Sequence, residues 1–222
     1  MPKVLPWSHT TLDAFKNCPR AFHRRYVVKD LPFKPSPEMQ YGREVHKAFE
    51  DYAKLGTELP SSLSMHSDYL KYLCGLSGEN SSEQKISLNV QVKPCGYFDK
   101  DVWYRGAIDF KNLYQDQALI VDYKTGKSHS KFEQLLTFAL WTFIAHPHVQ
   151  TVDARYYWTK EKKETGKAWG RADIPSMWAA LAPDLKQYVE AFQYDIWTPR
   201  QSGLCREYCD VLDCEFNGKG RS

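Results

Sequence analysis

The chain has 222 residues, of which 42% are hydrophobic, 26% charged and 14% aromatic. That balance supports one substantial core, or a core with a small appendage, and excludes fibrous and low-complexity classes. The formal net charge is only +3, so affinity for nucleic acid has to come from a local basic surface and not from the field of the whole protein.

No stretch is apolar over the length needed to span a bilayer. The opening residues Met1 to Trp7 lack the long apolar region of a secretory signal. The expected location is therefore intracellular and cytoplasmic, away from membranes. Six cysteines in such a chain do not imply a disulfide framework.

Residues 10–27 read as a first helix. Thr10 and Asp13 have capping-box spacing, and Leu12, Phe15, Phe22 and Tyr26 share a face. Pro19 marks a kink or a break into two short helices. Arg20, His23, Arg24 and Arg25 cluster beside it, suited either to phosphate or to a solvated helix face. The proline-rich segment 31–37 is a loop. Residues 38–55 form a second helix with Val45, Phe49 and Ala53 as its apolar stripe. His46 lies beside that stripe, one turn after Gly42, where a missing side chain permits close approach. A short helix around 66–74 and a polar loop at 75–82 follow.

From Glu83 the period changes to two, with Ile86, Leu88, Val90 and Val92 alternating against polar residues. This strand, a second at 102–110 and a third at 118–124 make a three-stranded meander. Residues 131–145 are helical, with Gln134 near the start. A strand at 150–159 leads into a basic hairpin tip at 160–167, centred on Thr165 and Gly166. Tyr156, Tyr157, Trp169, Trp178 and Trp197 serve as core or as base-stacking platforms. A last helix at 175–194 is interrupted by Pro183. Cys205, Cys209 and Cys214 close the chain in a segment at about 198–222, while Cys18 sits near its start.

The chemistry concentrates between Arg105 and Gly126. Strands adjacent in sequence usually pair, which brings Asp109 and Asp122 to the same end of the sheet. Two converging carboxylates make a hard oxygen site suited to Mg²⁺ or Mn²⁺. Lys124, two residues beyond Asp122, leaves the strand on the same face. A metal with a cation beside it suits hydrolysis of a phosphodiester: the metal activates water and the lysine offsets developing charge. His46 is a candidate further ligand, since imidazole suits metals such as Mn²⁺. The Tyr123 carbonyl is placed to complete the shell.

Gly106-Ala-Ile-Asp109 followed by Ile120-Val-Asp122-Tyr-Lys124-Thr-Gly126 resembles the catalytic core of the PD-(D/E)XK nucleases. The likeness is to the branch that holds RecB-type nuclease domains, CRISPR adaptation nucleases and many phage exonucleases. Ser8 to Phe22 resembles that family's opening helix, Gly42 to His46 its Gly-x-x-x-His helix, and Gln134 to Phe138 its Gln-x-x-x-Tyr helix with Phe replacing Tyr. The resemblance implies His46, Asp109, Asp122 and Lys124 as the catalytic set, with Glu83 as an additional acidic residue. It places Gln134 along the active-site edge, where its amide could bond DNA. Apart from the resemblance, Arg20, Arg24, Arg25 and the 160–167 hairpin are the local basic candidates for DNA contact. It also implies that Cys18, Cys205, Cys209 and Cys214 hold a [4Fe–4S] cluster. Their C-terminal spacing departs from the family's pattern, and a four-thiolate site also suits zinc, with free thiols as the third reading.

The expected fold is α/β (α+β in stricter usage), restriction-endonuclease-like, with a small mixed sheet flanked by helices in a single nuclease domain spanning residues 1–222. The expected function is a Mg²⁺- or Mn²⁺-dependent deoxyribonuclease working as an exonuclease from DNA ends in recombination, repair or genome degradation, in a host cytoplasm if phage-encoded. Its rivals are a structure-specific endonuclease and, in another class, a non-catalytic DNA-binding or scaffolding module.

Overall fold

The computed structural model describes residues 4–31 and 34–219. It contains two compact units, one of Pro35–Met177 and one of Met1–Lys34 with Trp178–Ser222. Of the expected 31–37 loop, Pro32 and Phe33 lie outside the described residues.

The larger unit is built on a five-stranded sheet whose spatial order follows the chain: β1 (Glu79–Asn89), β2 (Val102–Tyr114), β3 (Gln117–Lys124), β4 (Thr151–Trp158) and β5 (Lys163–Gly170). The β1–β2, β2–β3 and β4–β5 pairs are antiparallel, while β3 and β4 run parallel. A parallel pair needs a crossover, and α5 (Glu133–Ala145) supplies it. That helix buries Leu135, Phe138, Ala139, Leu140, Trp141 and Phe143, an apolar surface too broad for a solvent-facing helix. The mixed sheet with flanking helices is the α/β architecture expected from the sequence.

Helix α3 (Pro37–Leu55) starts at a Ser36 cap with Pro37 in its first turn, and Gly56 ends it with a positive φ. Its Val45 and Phe49 are fully buried with Leu70 and Leu73 of α4 (Ser67–Cys74) and with Phe110, Val121, Tyr123 and Tyr157 of the sheet. Fixing α3 against β2 and β3 is what brings His46 beside Asp109 of β2 and Tyr123 of β3. At Gly42 a Cβ would lie 3.3 Å from the Thr125 hydroxyl just past β3, so the neighbour is a side chain where the sequence reading expected a backbone.

In the smaller unit, α1 (His9–Asn17) is capped by Ser8 and closed by a Ser8–Thr11 capping box, two residues before the expected Thr10–Asp13 pair. Pro19 does break the helix, because Cys18 is extended and α2 (Pro19–Phe22) restarts beyond it. A single π-helical stretch, His23–Val28, continues the chain. Phe15, Phe22, Tyr188, Phe192 and Trp197 pack edge-on or stacked within this unit. Helix α6 (Ile174–Tyr194) retains Pro183 in its interior.

Four expected boundaries move, the first being the end of β2, which runs on from Phe110 to Tyr114. Strand β1 begins at Glu79, four residues early, because its first half is polar and carries no alternation to read. Val90 and Val92 leave the strand: the Asn89 side chain accepts from the backbone N–H groups of Gln91 and Lys93, and Val92 adopts φ +59°. The β4–β5 hairpin turns at 159–162, with Lys162 at φ +51°, and residues 163–167 belong to β5. Tyr156, Tyr157 and Trp169 are core residues. Among the described residues, no helix is long and apolar enough to cross a membrane.

Candidate active site

The β2–β3 ladder runs from Tyr114↔Gln117 to Phe110↔Val121 and then stops. Asp109 and Asp122 are the next residues on the two strands. Where the strands part, the Asp109 carboxylate fills the gap: its Oδ2 accepts the Tyr123 backbone N–H at 2.7 Å. A buried N–H that would have lost its ladder partner is thereby satisfied.

His46 Nε2 lies 2.9 Å from the Tyr123 carbonyl. A carbonyl can only accept, so Nε2 carries the hydrogen and Nδ1 is the atom turned inward. Nδ1 stands 3.3 Å from Asp109 Oδ1 and 3.6 Å from Glu83 Oε1. One ligand atom from each of His46, Glu83 and Asp109 lies within 4.8 Å of the others, a spacing able to hold a metal ion. Glu83 sits in mid-strand on β1, opposite Asp109 in number, with φ +47°. A glutamate in the left-handed region is rare and costs free energy, and such outliers cluster at functional sites. The sequence placed this residue at a strand start; the polar run before it hid both its true position and its backbone.

Asp122 is 2% exposed. Gln134 Nε2 donates to its Oδ1 at 2.9 Å, and Lys124 Nζ donates to Gln134 Oε1 at 2.9 Å. Lys124 Nζ also approaches Asp122 Oδ2 at 2.5 Å, yet that buried oxygen has no aligned hydrogen-bond donor. The Tyr156 ring lies beneath Lys124, 5.2 Å from Nζ. Gln134, read from the sequence as a DNA contact, thus bridges the carboxylate and the lysine, and Tyr156 enters the site as a wall that sequence reasoning left in the core.

Electrostatics agree with a site built for a cation. Burial opposes protonation of His46, but hydrogen bonds to Asp109 and Glu83, with the charges of Asp109 and Asp122, outweigh it and push its pKa up to about 10. Burial and the Asp122 charge raise Asp109 to about 6, against the lowering effect of His46. Glu83 and Asp109 share one point, the Asp122 charge acts on Asp109 from nearby, and without a metal an imidazolium stands beside them. Oxygen donors with one imidazole fit Mg²⁺ or Mn²⁺.

Comparison with known proteins finds a likeness over part of the chain. Residues 6–74 match the family described as the PD-(D/E)XK nuclease superfamily. The chain resembles that superfamily. The matched segment runs from Pro6 through α4 and includes His46, while Asp109, Asp122 and Lys124 lie beyond it. A crystal structure of a presumed exonuclease from Eubacterium rectale is 10% identical, with a TM-score of 0.56 over 98% of this chain and 88% of that one. At that identity the likeness shows the fold alone. The crystal structure of SSO0001 is 12% identical with a TM-score of 0.42, covering 98% of this chain and 89% of that one. No curated protein matches the sequence. Nucleases of the PD-(D/E)XK superfamily use divalent metals, which accords with the donor set around His46.

The remaining candidate residues lie in the smaller unit. Arg20 pairs with Asp213 and Glu215, Arg24 with Asp30 and Asp213, and Arg25 with Asp210 at 3.5 Å. These cations are already matched by carboxylates, mostly of the C-terminal segment, which weakens the case for phosphate contact. Cys18, Cys205 and Cys209 line one cavity of about 330 Å³. Cys214 is not among its lining residues, and its thiol faces Glu215 Oε2 at 3.6 Å. Among the described residues, no three thiols come within the 4.8 Å that groups the His46 site, whereas zinc at ~2.3 Å from each sulfur would hold its thiolates closer than that.

Proposed function

We propose that this chain is a divalent-metal-dependent deoxyribonuclease that hydrolyses phosphodiester bonds from DNA ends, its two units acting as one nuclease domain. The observation that carries the reading is the convergence of His46, Glu83 and Asp109 on one point, with Asp122 and Lys124 alongside. His46, Glu83, Asp109 and Asp122 would hold Mg²⁺ or Mn²⁺, which supplies a polarised phosphoryl oxygen and a water of lowered pKa when bound. Asp109 and His46 fix one another and the Tyr123 backbone, so the ligands are positioned before substrate arrives. Lys124, held by Gln134 and set over Tyr156, places a positive charge where the scissile phosphate gains negative charge.

Action at ends rests on the exonuclease name of the Eubacterium rectale neighbour and on the sequence resemblance. The test is digestion of labelled linear and circular DNA, single- and double-stranded, with Mg²⁺ or Mn²⁺. Linear DNA is expected to shorten while circles persist. Cutting of circles would instead favour the structure-specific endonuclease. Binding without cutting, in either metal, would leave the non-catalytic scaffold, which the complete set of His46, Asp109, Asp122 and Lys124 argues against.

For the cysteines we propose a shared centre on Cys18, Cys205 and Cys209, completed by Cys214 after its thiol turns from Glu215. The wide spacing of the thiols favours an iron–sulfur cluster over zinc. Such a centre closes a loop of nearly the whole chain and so restricts the unfolded state. Anaerobically purified protein is expected to absorb in the visible range, and Cys205→Ser to lose that colour and melt at lower temperature. Colourless, zinc-free protein with unchanged melting after Cys205→Ser would make these ordinary thiols.

A further inference from the structure

The loop between β1 and β2 carries an aromatic and basic cluster that the hydrolytic site does not use. Its Gly96–Asp99 segment is a hydrogen-bonded turn: the Asp99 N–H donates to the Gly96 carbonyl at 3.0 Å, and the Asp99 carboxylate accepts the Gly96 N–H at 2.7 Å. Tyr97 and Phe98 occupy the two central positions. The loop is tied back to β1, because the Ser87 hydroxyl donates to the Cys95 carbonyl and Leu88 bridges Pro94. The turn is thus held in place, although Phe98 is 79% exposed.

Two cations lie against these rings. Lys85 Nζ is 5.5 and 5.6 Å from the Tyr97 and Phe98 centroids, and the Arg105 guanidinium is 5.4 and 6.0 Å from them. Among the described residues neither cation pairs with a carboxylate, and Arg105 Nε is buried without a hydrogen-bond acceptor. Ala107 pairs with Lys85 and Ser87 with Arg105, so both cations stand on the same hairpin that carries Glu83 and Asp109. Lys85 is two residues from Glu83 and Arg105 four from Asp109, about 7 and 13 Å along the strands. That separation is a few nucleotides.

We infer that the Tyr97–Phe98 turn, with Lys85 and Arg105, is a stacking platform for the single-stranded end of a DNA substrate beside the metal site. The inference rests on the nuclease reading above. An exposed ring offers a face to an unpaired base, which a duplex does not present, and unmatched cations complement the strand's phosphates. The arrangement assigns this face to the frayed or single-stranded part of the substrate. It also gives the basic surface that the small net charge requires a place on the same unit as the metal ligands.

Binding is to be measured by fluorescence anisotropy without metal, using a labelled single-stranded oligodeoxynucleotide of about 12 nucleotides and a blunt duplex. Phe98→Ala is expected to weaken single-strand binding roughly tenfold and to leave blunt-duplex binding unchanged. Lys85→Ala should reduce the slope of log affinity against log salt by about 0.7 on the single strand. Both side chains project from the surface, so melting temperatures should match the parent protein. Unchanged single-strand affinity in Phe98→Ala, or an equal loss on strand and duplex, would overturn the platform. Failure of the intact protein to cut linear or circular DNA in either Mg²⁺ or Mn²⁺ would fail the nuclease reading instead, and the metal-free binding measurement keeps the two failures apart.

Discussion

Asp122→Ala is expected to lower DNA cleavage roughly a thousandfold or more, because in the proposed site it removes an anionic ligand from beside a metal that would supply several kcal/mol of transition-state stabilisation. The same change should not unfold the protein. Asp122 and Asp109 are both buried, and each charge disfavours the other, which is one reason Asp109 is raised to about 6. Asp122→Asn keeps an acceptor for the Gln134 amide while deleting the repulsion. It also removes the charged partner of Lys124, so the two effects on stability oppose and the melting temperature in EDTA should stay close to the parent's. In Mg²⁺ or Mn²⁺ the variant should be folded and inactive. Near-wild-type cleavage by Asp122→Ala in Mg²⁺ or Mn²⁺ would remove Asp122 from the metal assignment.

The parts of this architecture that could be read in the sequence are those that bury apolar surface periodically. Val45 and Phe49 on α3, Ile86 and Leu88 on β1, and the apolar face of α5 are core residues in the structure. The pairing of β2 with β3 was readable, since a short apolar run beside a turn signal is consistent with a buried strand, and that placed Asp109 and Asp122 together, although β2 runs on to Tyr114 beyond its expected end at Phe110. What escaped has a common physical cause: it is set by polar or backbone contacts that leave no hydrophobic period. The first half of β1 is Glu79-Asn-Ser-Ser82, whose polar side chains hide the extension that makes Glu83 a mid-strand residue.

Gly166 shows the same limit from the other side. A Thr-Gly pair among lysines reads as a hairpin tip, yet this glycine lies within β5, where a Cβ would meet the Ala154 carbonyl at 2.3 Å. Close approach of β4, not a turn, requires it. Gln134 is a third case. Its place on α5 was legible, but whether its amide faces DNA or the catalytic pair depends on how α5 packs on β3, a relation between segments that no local pattern encodes. The Asn89 cap that ends β1 early is likewise a side-chain to backbone contact.

Lys124→Ala is expected to reduce turnover about a hundred- to a thousandfold, the range found when one preorganised donor to developing charge is removed. It should leave metal affinity nearly intact, because an ammonium is no metal ligand and Lys124 pairs with Asp122, while Glu83 and Asp109 are the carboxylates beside His46 Nδ1. The geometry separates positioning from charge. Gln134 receives the lysine on its carbonyl end and donates from its amide end to Asp122, so one side chain sets the distance between the cation and the carboxylate. Gln134→Ala keeps both charges and loosens both, and should therefore cost less than Lys124→Ala. Lys124→Arg retains charge, but a planar guanidinium cannot reproduce the ammonium's contacts with Gln134 and the Tyr156 ring, and partial activity is expected. Mn²⁺ titration of each variant beside single-turnover cleavage distinguishes the roles. If Lys124→Ala lost metal binding together with turnover, the lysine would be holding the site together, and the charge at the scissile phosphate would have to come from another group.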